Sequence, residues 1–347
     1  VLGVLALAWP DVTLLVVAVV FGARTVLLGL RTAWSALRER DPDRGPAAAG
    51  ADAGAEEAEP PGPLRRAGHL VGVSVALVLA LVLATVSVAV NRRVADVDAF
   101  YDTPDDVPAA PGRLLDSDEV TAGIPDGARA RRILYTTTRD EGRPAVASAL
   151  VVVPEGADGP LPVVAWAHGT TGVARRCAPT VMDAGLEAGA FFVLDEVIDR
   201  GWALVATDYV GLGTEGPHPY LVGQGQARSV LDAVRAARDL PAADLADETV
   251  VWGHSQGGGA ALWTGQVAPT YAPDVPLSGV AALAPAADLG SLVDALTDIT
   301  GGSIFAAYVA SAYAAEYDDL AVGDLVRPTA RTTFDQVIGR CLDATAL

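Results

Sequence analysis

Hydrophobic residues are distributed in two different ways along this chain. Up to about residue 93 they form long unbroken runs, and beyond it they come in short runs separated by polar turns. Leu70 to Val90 carries no charged residue and is long enough for a bilayer, which takes about 20 residues per helical span. Val12 to Leu30 is a second candidate, interrupted only by Arg24, and Val1 to Trp9, ending at Pro10-Asp11, reads as the tail of an earlier span turning back. Because the chain begins at Val1, its true start is expected upstream. Between the spans, Arg31 to Ala67 holds Arg31, Arg38, Arg40, Arg44, Arg65 and Arg66, and its middle, Gly45 to Pro63, has the Ala, Gly, Glu and Pro content of a flexible linker. Only Arg92 and Arg93 flank the other side, so the positive-inside tendency places the loop in the cytoplasm and everything after Asn91 outside. The expected layout is transmembrane segments over 1–30, a cytoplasmic linker over 31–67 and a transmembrane helix over 68–91.

The outer part opens with a polar, Pro-rich lead-in over 92–126, in which Phe100-Tyr101 is expected to dock on the folded body. Apolar, β-branched runs then recur at Ile133 to Thr138, Ser148 to Val153, Pro162 to Ala167, Ala203 to Asp208, Thr249 to Trp252 and Gly279 to Leu283. Helical spacing appears over Leu186 to Asp199 and Gln226 to Leu240, the second with Val230, Leu231, Val234 and Ala237 on one stripe. Alternating strands and helices predict an α/β fold, a mainly parallel sheet covered on both faces, over 127–286. The first two strands, parted by the turn-like Arg139 to Arg143, read as an antiparallel hairpin. After Leu283 the pattern turns helical, with Phe305, Tyr308 and Tyr313 as apolar anchors, which predicts a helical cap over 287–347 that is cut short at its end.

Charge and cysteine content narrow the partners. The net charge of −19 falls on the outer part, because arginines and acids nearly cancel over residues 1–93. An acidic outer domain argues against nucleic acid and against anionic lipid. Cys177 and Cys341 both lie outside the membrane, where an even pair is expected to be bridged, with two separate thiols as the alternative. His69, His168, His218 and His254 form no ligand-spaced cluster with a cysteine, so no metal is expected.

Candidate chemistry centres on Gly253-His254-Ser255-Gln256-Gly257. This G-x-S-x-G pattern follows the strand-like Thr249 to Trp252 and precedes the small residues Gly258, Gly259, Ala260 and Ala261, which let a helix start close against the sheet. Ser255 is thereby the candidate nucleophile. Acyl transfer also needs N–H donors for the oxyanion, one from the residue after the nucleophile, Gln256, and one from the loop after an earlier strand. That loop is His168-Gly169-Thr170-Thr171-Gly172, where Thr170 is the expected donor and Gly169 or Thr171 the near alternatives, with His168 in support.

The HGTTG loop, Cys177-Ala178-Pro179, the block Asp208 to Thr214 with Gly216-Pro217-His218-Pro219-Tyr220, and the GHSQGG elbow together resemble the secretory lipase family of α/β-hydrolases, over roughly Ala95 to Leu347. The resemblance implies an extracellular serine hydrolase of triacylglycerols and simpler esters, without a cofactor and with a helical cap after the sixth strand. It also implies a disulfide from the region after the oxyanion loop to the cap, which maps onto Cys177 and Cys341. Gly3 to Asp11 and the apolar span after it are similar to HdeD-like membrane proteins.

A serine hydrolase needs a histidine to take the Oγ proton and a carboxylate to orient it, in the order Ser, acid, His. No histidine follows His254, and Asp294 and Asp335 read as helix-surface residues. Asp208 and His218 come too early to serve, although His218 is the first residue to examine if the base lies within this chain. The reading is therefore a membrane-tethered serine ester hydrolase whose acid and base lie beyond Leu347. The alternatives are a non-catalytic, membrane-anchored binding protein on the same fold, and a hydrolase of another acyl substrate such as a peptide or thioester.

Overall fold

In this computed structural model, which describes residues 97–342 apart from 158, 242 and 300, the short apolar runs pair into one seven-stranded sheet. Its strands are β1 (Leu114–Val120), β2 (Ala128–Thr138), β3 (Pro144–Pro154), β4 (Leu161–Ala167), β5 (Ala203–Thr207), β6 (Leu245–His254) and β7 (Leu277–Leu283), in the spatial order β1-β2-β3-β5-β4-β6-β7. The transmembrane segments and linker expected before Asn91 lie outside the described residues. Among the described residues no helix is long and apolar enough to cross a membrane.

The sheet is mixed rather than mainly parallel. From β1 through β2 and β3 to β5 the neighbours are antiparallel, and from β5 through β4 and β6 to β7 they are parallel. Chain connectivity explains the division: the short Arg139 to Arg143 turn can only return the chain antiparallel, whereas parallel neighbours need a crossover long enough for a helix. Alternation along β4 builds both cores. Val163, Ala165 and Ala167 face α3 (Gly223–Arg238) and α4 (Gln256–Tyr271), while Val164 and Trp166 face Phe191, Val197 and Ile198 on the opposite side. The Trp166 and Phe191 rings lie 4.8 Å apart, and burying a side chain of that size is worth roughly 1.5–3 kcal/mol.

Two expectations are corrected. The helix expected over Leu186 to Asp199 is two short ones, α1 (Gly185–Ala188) and α2 (Leu194–Asp199). Ala190 between them takes a left-handed φ of 70°, Phe191 turns into the core and Phe192 points to solvent at 68% exposure. The break has a use, since Gly189 O accepts the Gly169 N–H at 2.9 Å and a Cβ on Gly189 would press on His168. The lead-in also contains a strand, β1, whose sequence LLDSDEV lacks apolar alternation because it is a half-exposed edge. It is held by charge: Arg132 pairs with Asp118 at 2.9 Å and Asp98 at 2.8 Å. Within the lead-in Tyr101 is buried, donating to Thr180 Oγ1 at 2.9 Å, and the Arg132 guanidinium lies 4.3 Å from the Phe100 ring centre.

After β7 come α5 (Leu289–Ala295), α6 (Gly302–Glu316), α7 (Val322–Leu325) and α8 (Arg331–Ile338). Tyr308 is their buried anchor, packed with Tyr220, Leu221 and Ala312, and Tyr313 borders the same cluster. Asp335 pairs with Arg331 one turn away on α8, and Asp294 is exposed on α5, both on helix surfaces. A disulfide joins Cys177 to Cys341 with a Cα–Cα distance of 5.1 Å.

Candidate active site

Ser255 sits where β6 turns into α4, with φ 57° and ψ −117°. A left-handed φ is costly for a residue with a side chain, on the order of 1–3 kcal/mol, and persists only where the surroundings enforce it. Here the Ser255 N–H donates to Leu283 O at 3.0 Å, and Ser255 O accepts from Ala286 N at 2.9 Å and Gly259 N at 3.2 Å. The glycines make the turn possible. A Cβ on Gly253 would overlap the Gly257 carbonyl, and one on Gly257 would overlap the Ala167 carbonyl at the end of β4. Ser255 stands at the N-cap of α4 yet makes no capping bond with its side chain, so its Oγ is not spent on its own helix.

The 168–172 loop lies beside this turn. Ala167 is in register with Gly253, so the 168–172 loop and the elbow leave the sheet side by side. A Cβ on Gly169 would stand 3.4 Å from His254 Nδ1 and 3.5 Å from His254 O. Gln256 is the first residue of α4, whose leading N–H groups have no partner within the helix and carry the positive end of its dipole. The Gly169 N–H is already given to Gly189 O, which removes one of the alternatives to Thr170. Thr170 shares a 3.0 Å hydrogen bond between its Oγ1 and the Tyr220 hydroxyl. The remaining alternative, Thr171, is clamped from the cap side, where Leu342 N donates to its carbonyl at 2.8 Å.

The described histidines are not arranged as a base for Ser255. His168 is buried with Nδ1 at 2.6 Å from Gly169 O and Nε2 at 3.2 Å from Asp208 O, and burial depresses its pKa to about 4. His218 is equally buried, with Nδ1 at 3.0 Å from Val210 O and Nε2 at 3.0 Å from Gln256 Nε2, and burial depresses it to about 3. His254 adjoins Ser255 in the chain, but among the described residues no ring nitrogen is hydrogen-bonded to Ser255 Oγ. Asp208 is no orienting acid either. Its carboxylate accepts from Ser148 Oγ at 2.6 Å, Thr180 N at 2.9 Å and Thr180 Oγ1, fastening the segment after Cys177 to the sheet, and burial raises its pKa to about 6.

Three roles were not visible in the sequence: the Tyr220 contact with Thr170, the His218 contact with Gln256, and the Ser148 and Thr180 shell around Asp208. Nothing local in the Gly216 to Tyr220 block shows that its side chains reach residues far away in the chain.

Residues 184–347 match the Secretory lipase family. Residues 1–50 match a short repeat of unknown function, DUF308. Among curated proteins the chain is 30% identical over 209 residues to "Probable inactive lipase MT1628" of Mycobacterium tuberculosis, covering 56% of this chain and 46% of that one. It is 27% identical over 266 residues to Lipase 5 of Candida albicans, covering 71% and 56%. The chain thus spans about half the length of the curated relatives it matches. Among solved structures, Candida antarctica lipase A in its closed state superposes with a TM-score of 0.60 at 20% identity, covering 72% of this chain and 61% of that one. The rice cell wall degrading esterase LipA from Xanthomonas oryzae gives 0.58 at 22%, covering 67% and 68%. The fold is α/β-hydrolase-like, and the similarity is to lipase-family hydrolases.

Proposed function

We propose that this chain carries the nucleophile and oxyanion hole of a membrane-tethered, extracytoplasmic serine carboxylester hydrolase that acts on lipids or simpler esters. The observation that carries the reading is the conformation of Ser255, a strained residue whose Oγ makes no capping bond, at the end of β6 in the parallel half of the sheet. Ser255 Oγ attacks the ester carbonyl while its proton passes to a general base. The carbonyl oxygen, now negative, accepts from the N–H groups of Gln256 and Thr170. Collapse expels the alcohol with that proton and leaves an acyl-enzyme, which water opens by the reverse sequence to free Ser255 and the acid. The base and its acid come from outside the described residues, because His168 and His218 have both ring nitrogens engaged in the protein interior. No cofactor enters the sequence.

The tether is read from the apolar runs at 12–30 and 70–90 and from the excess of arginine between them. Protease treatment of intact cells tests this: the body after residue 92 is expected to be cut and the 31–67 linker protected, and the reverse pattern overturns the orientation.

For the chemistry, the full-length protein is incubated with a fluorophosphonate and a short-chain ester. Labelling at Ser255, and loss of both labelling and turnover in Ser255→Ala, is the expected result. The match to a relative named as an inactive lipase, together with the lack of a base among the described residues, favours a second reading, a non-catalytic binding protein on the same fold. A full-length protein that neither labels nor turns over ester while still folded would overturn the hydrolase reading in favour of this one.

A further inference from the structure

We propose that the Gly216 to Tyr220 segment is a clamp that sets the oxyanion hole, with His218 holding Gln256 and Tyr220 holding Thr170. The inference rests on the reading of Gln256 and Thr170 as the oxyanion donors. The first turn of α4 reads Gln256-Gly257-Gly258-Gly259, so three of its four residues have no side chain with which to fix their peptides. Gln256 is the exception. Its amide is buried, its Nε2 meets His218 Nε2 at 3.0 Å, and its Oε1 has no partner among the described residues. His218 is therefore the single polar anchor of that side chain among the described residues.

The protonation of this link follows from its partners. Val210 O can only accept, so His218 Nδ1, 3.0 Å away, carries the proton. In the neutral ring Nε2 is then the acceptor, and it faces the Gln256 NH2 group rather than its carbonyl. The opposite amide orientation would need a doubly protonated ring in the protein interior, at a cost that burial makes prohibitive. Tyr209 stacks on the ring at 5.7 Å and keeps it in plane.

Two residues on, Tyr220 is buried, and its hydroxyl meets Thr170 Oγ1 at 3.0 Å. The two fingers are tied to each other by Tyr220 N donating to His218 O at 2.9 Å, and to the rest of the body by Arg139 donating to Pro217 O. One pentapeptide thus touches both residues that face the developing negative charge. His218 and Tyr220 are positioning residues, neither of them a base nor an acid of the reaction.

The test uses the full-length protein and the variants His218→Phe, His218→Gln and Tyr220→Phe, with Ser255→Ala as the control for the underlying reading. With a p-nitrophenyl ester, His218→Phe and Tyr220→Phe are each expected to lower kcat by about a hundredfold, the scale of a misplaced catalytic group, with KM little changed. His218→Gln, which keeps an acceptor within reach of Gln256, is expected to recover most of the loss. Unchanged kcat in both Phe variants, or a loss that tracks melting temperature and is not recovered by Gln, overturns the clamp.

If wild type and Ser255→Ala are equally inert, the hydrolase reading has failed, and the clamp is read by histidine 15N spectra instead. His218 is expected to show a protonated Nδ1 and an acceptor Nε2 whose shift moves in Gln256→Leu. An Nε2 unaffected by that substitution overturns the His218 contact.

Discussion

Glu316, at the end of α6 in the cap, lies 3.4 Å from Arg139 of the β2–β3 turn, with 2% and 9% of the two side chains exposed. Arg143 pairs with the second oxygen of the same carboxylate. Burial lowers the Arg139 pKa and the neighbouring Glu316 charge opposes that shift. Glu316→Ala leaves the buried guanidinium unpaired, which typically costs about 3–5 kcal/mol. The expected outcome is a lower urea midpoint together with faster hydrogen exchange over 302–316. Arg139 also holds Pro217, so the same variant should loosen the segment that reaches Gln256 and Thr170.

The helices after β7 have a second attachment beside the 168–172 loop. Cys177 and Cys341 are bridged, a Cβ on Gly172 would strike Cys177, and Tyr308 donates to Arg340 O at 2.9 Å. The bridge closes a loop of 164 residues, and removing a native disulfide costs about 2–5 kcal/mol. Cys341→Ser is expected to show that loss in chemical unfolding, and non-reducing peptide mapping of the wild type should recover Cys177 and Cys341 in one linked pair.

Acid sensitivity follows from three buried groups. His168 and His218 have folded pKa values near 4 and 3, below the ordinary 6.5, so the unfolded chain binds more protons and stability is lost as pH falls below about 6.5. Asp208 acts in the opposite sense: its folded pKa is raised from 3.8 to about 6, so its contribution is present at low pH and lost as pH rises through about 6. Two histidines outweigh one aspartate. Between about pH 6 and 4 the net difference approaches one proton, or about 1.4 kcal/mol per pH unit. Urea midpoints measured across that range should fall with acidification, and His218→Phe should flatten the fall.

Strain at Ser255 gives a prediction of opposite sign for stability and for the proposed function. Ser255→Gly relieves the left-handed φ of 57° and is expected to raise stability by about 1 kcal/mol while ending ester hydrolysis. A calorimetric midpoint below that of wild type would show that Ser255 contributes more through its contacts than it costs in strain.

The elements that sequence alone determined are those set by neighbours in the chain. The apolar runs that became β3, β4 and β5 follow from burial on both faces of a sheet, and the elbow follows from glycines flanking Ser255 where a Cβ has no room. The edge strand β1 and the break after Ala188 escaped the same reading. The first is held by cross-strand arginines and the second by Gly169 of the 168–172 loop, so neither leaves a period in its own residues. The fate of the histidines was decided by tertiary structure alone. His218 reads as the reserve candidate for the base, but its two nitrogens meet Val210 O and Gln256 Nε2, the latter 38 residues away in sequence, and burial makes the ring too weak a base to take up a proton near neutral pH. Periodicity reports which face of an element is buried. Which partner a buried polar atom finds there depends on the other chain segments packed against it, and no local pattern encodes that.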